Sequence, residues 1–231
     1  MLNLFKEKVV LFGTFFCVYF SSVFSQNQEI RFSHITDKQG LSQAHVNCIL
    51  QDNKGFMWFG TQDGLNKYDG YSMTVYKYNP TDPNSLVNNS INCLYQDREG
   101  LLWIGTGEGL SIFNLATNRF INIKTILANE KGSGYYDNVT AVTEDEEGII
   151  WISTDNGLNS FSKKEKKFFY HQLKKEKSKV AISFLHIDKQ GMLWMASKEE
   201  GLYSFDRKTT KDHQSKFNPY PPYRENSSDP R

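Results

Sequence analysis

The sequence predicts an all-β chain made of one four-stranded unit repeated four times, and three observations carry that prediction. All four tryptophans, Trp58, Trp103, Trp151 and Trp194, occupy the same slot of a recurring pattern, spaced by 45, 48 and 43 residues. Each is preceded by Asp-x-x-Gly and followed by a small residue, then Thr or Ser, then Gly-Leu. The composition agrees: 14% aromatic residues and 16 glycines favour short strands and tight turns over long helices.

The four copies begin at Asp52, Asp97, Asp145 and Asp188 and reach their Gly-Leu pairs at Gly64-Leu65, Gly109-Leu110, Gly157-Leu158 and Gly201-Leu202. In each, Asp can bond the backbone two residues on, and the following Gly supplies the positive φ that closes a hairpin. The Gly before Leu closes the next turn at the opposite end. In the second copy this places strands at 92–96, 101–106, 110–113 and 119–123. Four short antiparallel strands at that period are the pattern of β-propeller blades. The expected blades are 41–80, 86–124, 138–172 and 179–208, within a domain spanning 26–208, with 209–231 a Pro-rich tail or the start of a further blade.

Residue classes within the slots suit stacked sheets. Each Trp has apolar neighbours on both sides, as a strand covered on both faces requires, so the four indoles are expected in the core. Gly60, Gly105, Ser153 and Ala196 follow two residues later, where small residues fit a blade that narrows towards an axis. Cys48 and Cys93 lie ten residues before their Trp, in slots that hold Ala141 and Phe184 in the other copies. Equivalent points on adjacent blades are expected to exceed the ~4.4–6.8 Å Cα separation of a disulfide, so both read as buried free thiols.

The first residues read as an address. Lys6, Glu7 and Lys8 precede an apolar run over 9–20, and small residues lead to Ser25, which describes a secretory signal over 1–25. The 16 apolar-rich residues 9–24 fall short of the roughly 20 that a spanning helix needs, which sets an uncleaved membrane anchor second. The expected location is therefore outside the cytoplasm, in the periplasm. Cys17 leaves with the signal.

The pattern Asp-x-x-Gly-x-hydrophobic-Trp-hydrophobic-Gly-Thr-x-x-Gly-Leu resembles the two-component regulator propeller repeat. The stretch from Phe32-Ser33-His34-Ile35-Thr36 through Gly40-Leu41-Ser42 to Val46-Asn47-Cys48-Ile49-Leu50-Gln51-Asp52 is similar to the start of the periplasmic sensor region of hybrid histidine kinases from Bacteroidetes-type bacteria. The resemblance covers about residues 30–206. It implies a larger, about seven-bladed propeller of which this chain holds an open arc. It also implies the ligand-reading half of a sensor, with the kinase and DNA-binding parts missing. Asn79-Pro80-Thr81-Asp82-Pro83 between the first two copies and Ser228-Asp229-Pro230 near the last residue fit that truncation. Open blade edges are expected to associate with further copies of the chain.

Charge narrows the partners. With 27 basic and 26 acidic residues, the net charge of +1 excludes a phosphate-neutralising surface, so no nucleic-acid partner is expected. None of His34, His45, His171, His186 and His213 falls in a zinc-binding spacing, and no nucleophile motif is present, so no metal, cofactor or catalytic residue is expected. The turns before each Gly-Leu carry Gln62-Asp63, Gly107-Glu108, Asp155-Asn156 and Lys198-Glu199-Glu200. Equivalent turns emerge on one face of a propeller, so Asp63, Glu108, Asp155, Glu199 and Glu200 are candidate ligands for sugar hydroxyls, with aromatic rings as stacking surface. The same residue types also suit solvated turns. The function expected is a signal-input module that binds oligosaccharides and does no chemistry. The alternative is an exported propeller enzyme, a lyase or hydrolase acting on polysaccharide.

Overall fold

One carboxylate builds each Asp-x-x-Gly turn. Asp52 Oδ1 accepts the backbone N–H groups of Lys54 and Phe56 at 2.9 and 3.0 Å, while Oδ2 accepts the indole N–H of Trp58 at 2.8 Å. Gly55, at φ 89°, donates its N–H to the Asp52 carbonyl at 2.9 Å. The arrangement recurs around Asp97, Asp145 and Asp188, each with its Trp indole at 2.8 Å. These charge-assisted bonds fix the hairpin and the tryptophan rotamer together. The Trp194 indole N–H, ahead of the turn's backbone donors, holds the Asp188 carboxyl below the ordinary carboxylate range.

The computed structural model describes residues 32–123, 138–171, 173, 180–206 and 218–219. The chain divides into two units, Met1–His34 and Ile35–Arg231, and every element below belongs to the second. The expected signal over 1–25 lies outside the described residues. No described helix is long and apolar enough to cross a membrane.

A 3-10 turn, Asp37–Gln39, is capped by Thr36 and ends at Gly40. Four antiparallel sheets follow, each with its strands in sequence order. The first holds β1 (Val46–Gln51), β2 (Met57–Thr61), β3 (Gly64–Tyr68) and β4 (Met73–Tyr76). The second holds β5 (Ile91–Gln96), β6 (Leu101–Thr106), β7 (Gly109–Asn114) and β8 (Arg119–Ile123). The third holds β9 (Val139–Glu144), β10 (Ile149–Thr154), β11 (Gly157–Ser162) and β12 (Lys167–His171). The fourth holds β13 (Ile182–Ile187), β14 (Met192–Ser197), β15 (Gly201–Asp206) and β16 (Asn218–Pro219). β16 falls inside 209–231, the stretch read from sequence as a tail or a further blade. Pro219 pairs with Tyr203 on the sheet's outer strand, where a missing N–H donor is tolerated.

Successive sheets pack through their first strands, β1 against β5, β5 against β9 and β9 against β13. Three apolar clusters fill the junctions. At every junction the tryptophan of one sheet meets a phenylalanine of the next: Trp58 with Phe113 at 5.9 Å, Trp103 with Phe161 and Trp151 with Phe205 both at 5.7 Å. A first-strand side chain also crosses each junction to a carbonyl. Asn47 donates to Ile91 O at 2.8 Å, Asn92 to Val139 O at 3.0 Å, and the Thr140 hydroxyl to Ile182 O. Among the described residues β13 does not pack on β1 as the other first strands pack on one another, so the ring is open, as expected.

The small-residue slot has a specific cause. A Cβ on Gly60 would come within 2.4 Å of Cys48 Sγ and 2.6 Å of Ile91 Cγ2. One on Gly105 would meet Cys93 Sγ at 2.3 Å and Val139 Cγ1 at 2.7 Å. In the third sheet the strand partner shrinks to Ala141, and Ser153 fits. Both thiols are free, and burial pushes each up to about 12.

Candidate ligand face

The turns that carry the candidate carboxylates are held by the Thr of each repeat. Thr61 donates its hydroxyl to Gly64 O at 3.0 Å and accepts the N–H of Asp63 at 3.1 Å. Thr106 does the same with Gly109 O and the N–H of Glu108, and Thr154 with Gly157 O and the N–H of Asn156. In the fourth sheet Ser197 accepts from Glu199 and Glu200 across a turn one residue longer. These turns join the second and third strands of every sheet, at the end opposite the Asp-x-x-Gly turns.

Their side chains differ in what they do. Asp63 is half exposed and pairs with Lys77 at 2.6 Å. Glu108, Asp155 and Glu199 are exposed. Glu200 accepts the hydroxyl of Tyr203 at 2.6 Å, and burial first, then this bond, pushes the Tyr203 phenol up to about 12. The structure thus sets all five residues at equivalent turns, with Asp63 and Glu200 each tied to a side chain of its own sheet.

Two contributors were missed in the sequence. Amide side chains or backbone just before the first strand of the first three sheets arrive at the same end. Gln43 accepts the N–H of Gln62, Asn89 O accepts the N–H of Gly64 at 2.8 Å, and Asn138 O accepts the N–H of Asp155 at 3.2 Å. Their signal was present in Asn88-Asn89-Ser90 and Asp137-Asn138, each just before a first strand. The second is Tyr170, whose ring lies over Gly157: a Cβ there would stand 3.1 Å from the ring edge and 3.2 Å from its oxygen. Tyr170 remains 43% exposed, so an aromatic ring open to solvent stands beside the Asp155–Asn156 turn.

The opposite end offers less. The carboxylates of Asp52, Asp97, Asp145 and Asp188 are occupied by their own turns and indoles. Between the second and third sheets, Lys163 Nζ lies 2.9 Å from both Asp97 Oδ2 and Glu144 Oε1, and 3.6 Å from Glu99 Oε1. Burial alone would lower the Lys163 pKa, but the bonds to Asp97 and Glu144 and their charges outweigh it and raise it. This closed ion cluster fastens two sheets together. His171 is buried, with Nε2 2.7 Å from Ser160 Oγ and its ring tilted on Trp151 at 5.0 Å. Among the described residues no group of three or more His, Cys, Asp or Glu is placed to hold a metal ion.

The repeats match known proteins. Residues 40–63, 85–108 and 136–156 match the two component regulator propeller model. A stretch of 74 residues is 43% identical to Histidine kinase P4 of Formosa agariphila, covering 30% of this chain and 5% of that protein. The extracellular domain of a hybrid two component system from B. thetaiotaomicron is 20% identical with a TM-score of 0.44, covering 84% of this chain and 34% of that one. The Malassezia sympodialis allergen Mala s 1 is 10% identical with a TM-score of 0.51, over 75% of this chain and 62% of that one. The chain therefore spans a small part of the kinase and about a third of the bacterial extracellular domain.

Proposed function

We propose that this chain, built of two component regulator propeller repeats, is a ligand-binding signal-input module acting outside the cytoplasm, and that its ligands are oligosaccharides. The observation that carries the ligand class is the solvent-open Tyr170 ring beside Asp155 and Asn156. A flat aromatic surface next to hydrogen-bonding carboxylate and amide groups is the chemistry that receives a sugar ring, apolar face down and hydroxyls outward. Glu108 on the second sheet and Asp63 on the first extend that chemistry towards further sugar units, and Glu199 and Glu200 do so on the fourth.

The role as an input module is supported by the repeats themselves and by the identity shared with a protein named as a histidine kinase. In this role the module returns its ligand unchanged. Calorimetric titration of the chain with a panel of oligosaccharides tests both parts. Saturable heat with no new reducing ends or unsaturated sugars is expected, and heat lost on Tyr170→Ala and Asp155→Ala. Product formation would convert the reading to an enzyme. Binding untouched by either substitution would move the ligand away from this turn.

A further inference from the structure

We infer that the junction of the first and second sheets carries a second sugar subsite, built on Tyr78, Lys77 and Asp63 and suited to a neutral sugar with adjacent free hydroxyls. This subsite presupposes that the chain binds oligosaccharides, yet it shares no residue with the Tyr170 turn. β4 ends at Tyr76, which pairs with Leu65, so the chain leaves the first sheet at the end that carries the Asp63 turn. The link that follows, residues 77–90, lies between two sheets of the arc.

Tyr78 is 42% exposed although its backbone is fixed on both sides. Its N–H donates to Asn89 Oδ1 at 2.7 Å, and the Asn89 carbonyl accepts the N–H of Gly64 at 2.8 Å. Asn89 thus ties the tyrosine to the turn of Asp63. The next residue, Asn79, donates its N–H to Ser85 Oγ at 2.9 Å, and Ser85 O accepts Asn122 Nδ2 of the second sheet at 2.8 Å. Leu86, beside Ser85, is fully buried. The counterpart of Tyr78 after the third sheet is Leu173, two residues past His171, which pairs with Leu158 as Tyr76 pairs with Leu65. Leu173 packs into an apolar cluster, whereas Tyr78 is held out. An open aromatic residue on a braced link is a platform that a ligand need not order.

Lys77 Nζ lies 2.6 Å from Asp63 Oδ2, with both side chains nearly half exposed. The turn does not depend on this pair. The second sheet closes the same turn with the same Thr bonds, and among the described residues no ion pair holds Glu108. An exposed pair of this kind contributes at most about 1 kcal/mol to folding. To a ligand it offers a group that only accepts hydrogen bonds beside one that only donates them. Adjacent sugar hydroxyls match that pair: one gives its proton to the carboxylate, and the oxygen of the next receives from the ammonium. The apolar face of the same ring then lies on Tyr78. The two charges cancel, which selects a neutral sugar, since a uronate or sulfate group drawn to Lys77 would also meet Asp63.

Titration calorimetry of the full chain with cellobiose, maltose, lactose and xylobiose tests the second subsite. Two sites per chain are expected for a disaccharide that binds, with one left after Tyr78→Ala and one after Tyr170→Ala. Lys77→Met and Asp63→Asn are each expected to weaken the Tyr78 site on the order of tenfold while leaving the thermal midpoint in place. A single site that Tyr170→Ala alone abolishes would overturn the second subsite and leave the first standing. A single site that only Tyr78→Ala abolishes would do the reverse. No saturable heat with any of the four sugars would overturn both. Tighter binding of glucuronic acid than of glucose at the Tyr78 site, weakening as salt is added, would overturn the assignment to a neutral sugar.

Discussion

The second and fourth sheets contain the same local structure and differ in what surrounds it. Asp97 holds Trp103, and Asp188 holds Trp194, at the same 2.8 Å. Yet Trp103 is 1% exposed against the third sheet, while Trp194 is only half-buried. The turn, the latch and the strand register are therefore properties of each repeat alone, formed from contacts up to 16 residues apart within one sheet. Core burial is supplied by the next repeat. This division is what a chain of stacked units requires, with local terms shared by all and junction terms present only inside.

The largest expected effect breaks that comparison directly. Trp103→Ala removes an indole locked between two sheets and is expected to cost about 3–5 kcal/mol, while Trp194→Ala costs roughly half as much. Urea midpoints of the two variants measure the difference. Equal losses would mean that the latch, rather than the junction, carries the tryptophan's contribution.

Next comes the ion cluster, which distinguishes the junction of the second and third sheets from that of the first and second. Lys163→Met leaves the buried carboxylates of Asp97 and Glu144 without their cation, and about 3 kcal/mol is expected, the low end for a broken buried pair. At the preceding junction the equivalent end is bridged by neutral groups, Asn53 N–H to Gln96 Oε1 at 2.8 Å. Gln96→Ala is expected to cost only about 1 kcal/mol. Thermal unfolding of both variants at neutral pH checks the ranking, and a Gln96 loss matching the Lys163 loss would refute it.

The second and third sheets also differ at the narrow slot. Gly105→Ala forces a methyl onto Cys93 Sγ and Val139, an overpacking expected to cost about 1–3 kcal/mol. The third sheet solves the same problem with Ser153 opposite Ala141. Adding Cys93→Ala to Gly105→Ala should therefore restore stability relative to the single glycine variant, a coupling read from a double-mutant cycle. Additive losses would show that Val139, across the junction, is the limiting neighbour.

How much of this was legible in the sequence depends on range. The repeat period, the strand order and the turn residues could be read because each rests on contacts within a hairpin. The Asp carboxylates were read as turn formers. Their second oxygen's bond to the indole was not, since it depends on strand register bringing the ring back over the turn. Lys163 was invisible beside Asp97 because 66 residues separate them and no repeat partner shares the feature. At the candidate site, Asp63, Glu108, Asp155, Glu199 and Glu200 could be named from turn spacing. Tyr170 could not, because only the pairing of β11 with β12 carries it over Gly157.

The smallest effect sets the two thiols apart from the rest of the core. Cys48 and Cys93 have an ordinary value of 9.0, and burial pushes both up to about 12 in the folded chain. The unfolded chain therefore releases these protons from pH 9 upward while the folded chain retains them. Stability conferred by the neutral thiols is whole below pH 9 and drains away as pH climbs towards 12, by about 0.8 kcal/mol per thiol at pH 9.5. Lys163, whose folded value is also raised above the ordinary 10.5, loses its contribution in the same direction but at higher pH. Urea unfolding at pH 8 and 9.5 isolates the thiols, because Lys163 and the raised tyrosines Tyr76, Tyr95 and Tyr203 are common to both chains compared. Cys93→Ala should lessen the decline between those two pH values by about 0.8 kcal/mol. An unchanged decline would mean that Cys93 ionises in the folded state as readily as in water, and that the slot beside Gly105 is wetter than its packing implies.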